Sequence, residues 1–157
     1  MRLEYFQLID RIVELKPAEH TIRTEATVPT ESTIFEGHFP GHPLMPGVLL
    51  IEAMAQTSGW LVIAVTRFQR MPFLAALKDV KLRTFVSPGQ HLALSAQLVH
   101  EGSGYAVTDA KGTIDGKPVC DATITFRLTD FPNPEFRSHM DAMAKTLAFP
   151  MGALADG

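Results

Sequence analysis

The chain has little of several things. It holds one cysteine, one tryptophan and two tyrosines in 157 residues. A lone Cys120 forms no internal disulfide, so stability has to come from packing, and a reducing compartment is the expected setting. Charge is sparse as well: 20% of residues are charged and the net is −3. No basic run occurs, nor a basic patch interleaved with aromatics, which argues against general nucleic-acid binding. Met1-Arg2-Leu3-Glu4-Tyr5 brings in an acidic residue early and no apolar stretch follows, so no secretory signal is expected and the cytoplasm is the expected location. No repeat, linker or low-complexity block is visible. One stretch, 46–66, is almost free of charge and carries only Glu52. It is long enough to cross a bilayer. A mid-span Glu52 and Gln56 are costly in lipid, however, and there is no second such stretch. The expected form is a helix apolar on all sides, buried inside a soluble fold.

What is there is a good supply of core. Hydrophobic residues make up 46% of the chain, enough for one globular domain. Leu3–Leu8 suggests a short amphipathic helix or turn. Asp10–Leu15 is strand-like, and His20–Val28 alternates, with Ile22, Thr24, Ala26 and Val28 on one face; the two predict a hairpin. Pro29–Met45 is expected to be a loop, and Pro46-Gly47 to open the long helix. Strands are expected over Phe73–Val86, His91–Glu101, Tyr105–Ile114 and Lys117–Thr129. Their turns are Ser87–Gln90, Gly102-Ser103-Gly104 and the two-residue Asp115-Gly116. These four strands are expected to run as a meander. Residues 131–157 form a C-terminal tail with one helix over Glu135–Leu147 and a fraying end. The fold class is α+β: residues 1–130 form one antiparallel sheet wrapped around one long helix.

The most informative block is Gly37-His38-Phe39-Pro40-Gly41-His42-Pro43-Leu44-Met45-Pro46-Gly47-Val48, followed by Glu52-Ala53-Met54-Ala55-Gln56. It sets a histidine on a stiff loop, then a helix start, then one carboxylate in an apolar helix. An imidazole suits proton removal near neutral pH, a helix N-terminus holds developing negative charge, and an apolar setting favours the protonated carboxyl an acid must start from. With this block the chain resembles the 3-hydroxyacyl-(acyl carrier protein) dehydratases of type II fatty acid synthesis, which have the hot-dog fold. The resemblance extends to Ile9-Asp10-Arg11-Ile12, to Lys81-Leu82-Arg83 and to Val86-Ser87-Pro88-Gly89, and covers about Leu3–Leu128. The spacing of His38 to Glu52 is the family's own. Three departures stand out: Leu3-Glu4-Tyr5-Phe6 replaces the family's usual opening, Glu31-Ser32 precedes the His38 loop where Asn-Glu is common, and the tail beyond Leu128 is longer than usual. The variant looks like a subgroup that serves a specialised carrier protein making very long acyl chains for lipid A.

The resemblance implies dehydration of a (3R)-3-hydroxyacyl thioester to the trans-2-enoyl product. His38 would be the base, Glu52 the acid and the Gly47 N–H the donor to the thioester oxygen. It also implies that His38 of one subunit and Glu52 of another complete each site, in a homodimer or a trimer of dimers. Gln56, one turn beyond Glu52, either orients the carboxylate or faces a neighbouring subunit. Phe39, Met45, Val48, Met54, Trp60 and Phe85 are candidates for the acyl channel, though such residues are commonly plain core. Lys81 and Arg83, with Lys78, Arg67 and Arg70, either meet the acyl carrier protein or are ordinary solvated charges. His38 and His42 do not share a helix face, so no metal site is expected, and no cofactor is called for beyond the carrier's phosphopantetheine. Cys120 is a small core residue. The rival functions are an isomerising dehydratase, disfavoured because that group carries Asp where Glu52 stands, a hot-dog acyl thioesterase, and a non-catalytic acyl-carrier-binding module.

Overall fold

A computed structural model describes residues 1–154. Six strands form one antiparallel sheet: β1 (Arg11–Lys16), β2 (Thr21–Thr27), β3 (Met71–Leu82), β4 (His91–Gly102), β5 (Tyr105–Ile114) and β6 (Lys117–Thr129), in the order β1-β2-β4-β5-β6-β3. Among the described residues three α-helices accompany it, α1 (Thr33–Gly37), α2 (Gly47–Val65) and α3 (Pro134–Thr146). The alternation read in the sequence decides which face is covered. Ile22, Thr24 and Ala26 of β2, Leu92, Leu94, Ala96 and Leu98 of β4, and Ala122, Ile124 and Phe126 of β6 are all buried. They close around α2, whose Ala53, Met54, Leu61 and Val62 are fully enclosed. The helix long and apolar enough to span a membrane is therefore the core helix of the sheet.

Two buried hydroxyl pairs fix α2 against the sheet. Thr57 Oγ1 lies 2.8 Å from Thr24 Oγ1 and donates to the Ala53 carbonyl at 2.9 Å; Thr108 donates to Ser58 at 2.8 Å. Each pair satisfies polar atoms that would otherwise sit unpartnered in the core.

Two expectations need correction. First, the last four strands are not one meander. Only β4-β5-β6 are; β3 lies at the far edge beside β6, while β4 pairs with β2. The reason is the segment after Leu82, which leaves the sheet instead of continuing to Val86. It crosses the start of α2, where Met45 N–H donates to the Val86 carbonyl, and then joins the end of β2 through Val28 and Gly89. Second, the supposed loop Pro29–Met45 contains α1. The Ser32 side chain caps it by accepting from Ile34 N–H at 3.1 Å. The helix expected over Glu135–Leu147 is present as α3, and where it is described the segment after Asp130 packs onto the core. Asn133 caps α3, and Ala144, Leu147 and Phe149 are buried. Leu147 accepts a hydrogen bond from Ile12 N–H of β1 at 2.8 Å. Phe149 packs 5.8 Å from Trp60 and 5.3 Å from Phe68, centroid to centroid. The last part of the expected tail, 155–157, lies outside the described residues.

Candidate active site

His38 follows α1 directly, and its N–H donates to the Ile34 carbonyl at 3.0 Å. The α1 start is in turn held by Glu4, whose carboxylate accepts from the Ser32 hydroxyl (2.6 Å) and from Thr33 N–H (3.0 Å). These bonds, the Ser32 hydroxyl foremost, hold the Glu4 carboxyl below the usual carboxylate range. The His38 ring stacks on Phe39 at 4.1 Å, across a cis peptide bond. Its Nδ1 lies 3.0 Å from the Leu44 carbonyl oxygen. A carbonyl only accepts, so Nδ1 carries the hydrogen and Nε2 is left with the lone pair that a base needs.

A cavity of about 540 Å³ is lined by His38, Phe39, Met45, Gly47, Leu82 and Phe85, among others. Gly47 opens α2, and no side chain caps the helix. Among the described residues, no acceptor is found for the Gly47 N–H. It is therefore available to a ligand oxygen beside His38, with the helix dipole behind it. A Cβ at Gly47 would come within 2.5 Å of Leu82 Cδ1, so the exposed Leu82 side chain would have to turn aside.

Glu52 lies elsewhere. At 100° per residue, Glu52 is turned about 140° around the α2 axis from Gly47. It lines a second cavity of about 240 Å³, between α2 and β3, together with Gln56, Gly59, Trp60, Phe73 and Phe126. Glu52 is half-buried there, not enclosed among its neighbours as expected. Gln56 holds it tightly. Its Nε2 donates to Glu52 Oε1 (3.1 Å) and to the Phe6 carbonyl (2.8 Å), while its Oε1 accepts from Leu8 N–H (3.1 Å). The two backbone partners fix which way the amide points. Sequence reasoning found Gln56 but not this clamp, since residues 6 and 8 are far away along the chain.

The other expected residues fall into three groups. Phe39, Met45 and Phe85 do line the His38 cavity. Val48 is exposed, 70%, at the start of α2. Met54, expected at the acyl channel, is fully buried in the core and lines neither cavity, because α2 is apolar on all sides and Met54 faces the sheet's interior side. Arg83 borders the His38 cavity and pairs with Asp121 at 2.7 Å, and Lys81 is exposed on β3. His42 sits exposed at the loop tip.

One edge of the molecule is apolar. Among the described residues β3 pairs only with β6, and its Phe73, Leu74, Leu77 and Leu82 are between 41% and 47% exposed. Sheet edges of monomers are normally charged, short or covered. Within one chain, then, His38 and the Gly47 N–H share a cavity, and Glu52 occupies another beside the open edge.

Comparison with known proteins agrees with this architecture. Residues 2–123 match the FabA-like domain family. Among curated proteins, the chain is 39% identical over 119 residues to the 3-hydroxyacyl-[acyl-carrier-protein] dehydratase FabZ of Lactiplantibacillus plantarum, covering 75% of this chain and 80% of that one. Among solved structures, the conserved protein PA5202 of Pseudomonas aeruginosa superposes with a TM-score of 0.63 at 21% identity, over 80% of this chain and 93% of that one. The dehydratase heterocomplex ApeI:P of Xenorhabdus doucetiae gives 0.61 at 14%, over 87% and 90%. At such identities the structural likenesses speak for the hot-dog fold alone.

Proposed function

The chain belongs to the FabA-like family and is a dehydratase enzyme of it, and on that premise we propose that it removes water from (3R)-3-hydroxyacyl chains carried on acyl carrier protein. The product would be the trans-2-enoyl thioester, used in fatty acid or lipid A acyl-chain synthesis. His38 Nε2 takes the proton from C2. The thioester oxygen, gaining negative charge, receives the Gly47 N–H; one such donor is typically worth about 3–4 kcal/mol of barrier. Glu52 gives its proton to the departing 3-hydroxyl, which leaves as water, and Gln56 keeps the carboxyl in place. Protons and electrons balance without a metal or redox partner: the base ends protonated and the acid ionised, and one proton transfer resets both. The substrate's phosphopantetheine belongs to the carrier, whose acidic surface Lys81 and Arg83 would meet at the rim of the His38 cavity. The protein works in the cytoplasm.

The observation that carries the reading is the separation of His38 and Glu52 into two cavities of one chain. Acid and base must flank the same two carbons, and on this reading a second copy brings its Glu52 to this chain's His38. The unpaired, apolar β3 edge is the surface on which that copy would dock, as a homodimer or as dimers assembled in threes. Mass spectrometry of 3-hydroxyacyl-carrier-protein incubated with the enzyme tests the reading. Loss of water is expected, and either His38→Ala or Glu52→Ala should slow it by about 10²–10⁴-fold. Release of free carrier thiol would instead point to a thioesterase, and binding without turnover to a non-catalytic module.

A further inference from the structure

We propose that α3 closes the far end of the acyl cavity, so that Gly59 and Met140 set the longest acyl chain the enzyme accepts; this rests on the dehydratase reading with Glu52 as the acid. If Glu52 acts at C3, the rest of the acyl chain must leave that atom into apolar space. The cavity that begins at Glu52 offers it. It follows one face of α2 past Ala55, Gly59 and Trp60 to Ile63, against β3 and Phe126, and Met140 of α3 stands in its wall. From Glu52 to Trp60 the helix rises about 12 Å. Beyond Glu52 and Gln56 the lining is apolar throughout.

Gly59 is the second observation. A glycine inside a helix weakens it. Here a Cβ would meet only Pro72 Cγ, at an ordinary 3.8 Å. The chain's own packing therefore does not demand glycine, while the open space beside it is part of the cavity.

The end wall is firmly held. Arg137 donates to the Phe68 carbonyl at 2.6 Å and lies over the Phe68 and Phe131 rings at 4.7 and 5.1 Å. Phe136 of the same helix packs 6.4 Å from Phe73 of β3. α3 lies beyond residues 2–123 that carry the family match. Scaled against the ~150 Å³ apolar cavity that holds a benzene ring, the 240 Å³ here takes about ten carbons. A very long acyl chain does not fit behind Met140 while α3 stays in place.

The test uses the full chain with saturated acyl-pantetheines, and 3-hydroxyacyl substrates, of roughly four, ten and sixteen carbons. Trp60, the one tryptophan, reports from inside the cavity. Its fluorescence should shift with the ten-carbon ligand and stay constant with the four-carbon one. In turnover, Gly59→Leu should lower the ten-to-four-carbon ratio of kcat/KM by about tenfold or more, and Met140→Ala should raise the sixteen-to-ten-carbon ratio as much. Ratios unmoved in both variants, with Trp60 silent to the ten-carbon ligand, would overturn the proposal while leaving four-carbon dehydration intact. Should Gly59→Leu not fold, Met140→Ala on the outer helix decides alone. Absence of dehydration at every length would remove the dehydratase reading itself, and the Trp60 signal would still report whether acyl chains enter.

Discussion

Replacing Gln56 by alanine removes three hydrogen bonds at one stroke: those to Glu52 Oε1, the Phe6 carbonyl and the Leu8 N–H. Their consequences differ. The Phe6 carbonyl belongs to an exposed residue and finds water again, whereas Leu8 is fully buried and its N–H is left without an acceptor. With about 1 kcal/mol for each bond and a further 1–3 kcal/mol for a stranded buried donor, less a few tenths for alanine's better helix propensity, the loss should be about 3.5–5.5 kcal/mol. Denaturant unfolding at fixed protein concentration measures it. Glu52, freed to rotate, should cost turnover about 10²-fold, mostly in kcat. Gln56→Glu makes the argument sharper. It keeps the acceptor for Leu8 N–H but replaces the donor to Glu52 with a second carboxylate, so activity should fall at least as far as in the alanine variant while part of the stability returns. Unchanged stability in Gln56→Ala, or full activity in Gln56→Glu, would refute the clamp.

Other outcomes follow from the same structure. Glu4 has a lowered pKa when folded, so its contribution to holding α1 is present above the ordinary carboxylate range and lost as pH falls through the lowered value; the Thr33 amide resonance should titrate below that range, and in Glu4→Gln this titration should vanish. Burial pushes the Cys120 thiol up to about 11, which leaves about one thiolate in 10⁴ at pH 7 against about one in 30 for a free cysteine; iodoacetamide should modify it only on unfolding, and rapid labelling of the native protein would contradict the packing. Leu77→Lys, placed on the exposed β3 edge, should convert the proposed dimer to monomer by light scattering and abolish turnover with His38 and Glu52 both intact; an active monomer would rule out the shared site.

Much of this was legible in the sequence where the signal is local. Tyr105–Ile114 and Lys117–Thr129 are strands with the boundaries their alternation predicted, because Asp115 and Gly116 both adopt the positive φ of a two-residue hairpin turn. Pro46-Gly47 marked the start of α2 for the same kind of reason. Non-local choices were not legible. A turn at Ser87–Gln90 suits a hairpin as well as a crossover, and only the contacts of Met45 and Val28 with the segment between β3 and β4 decide for the latter. Met54 could not be told from a channel residue because a helix apolar on all sides carries no periodicity to say which face is open. Ser32 before Ile34-Phe35 was an overlooked cap signal for α1. The motif brought His38, Gly47 and Glu52 into view together; their division between two cavities depends on the turn of α2, which the spacing of 38 and 52 does not reveal.

The most direct test of the account is a mixture of two dead enzymes. His38→Ala and Glu52→Ala chains, unfolded together in equal amounts and refolded, form mixed dimers in half the population. If each site takes His38 from one copy and Glu52 from another, every mixed dimer regains one intact site, and the mixture should recover about one quarter of wild-type dehydration. If both residues act from one chain, every site lacks one of them, and recovery that stays at the level of the separate variants would contradict the central claim.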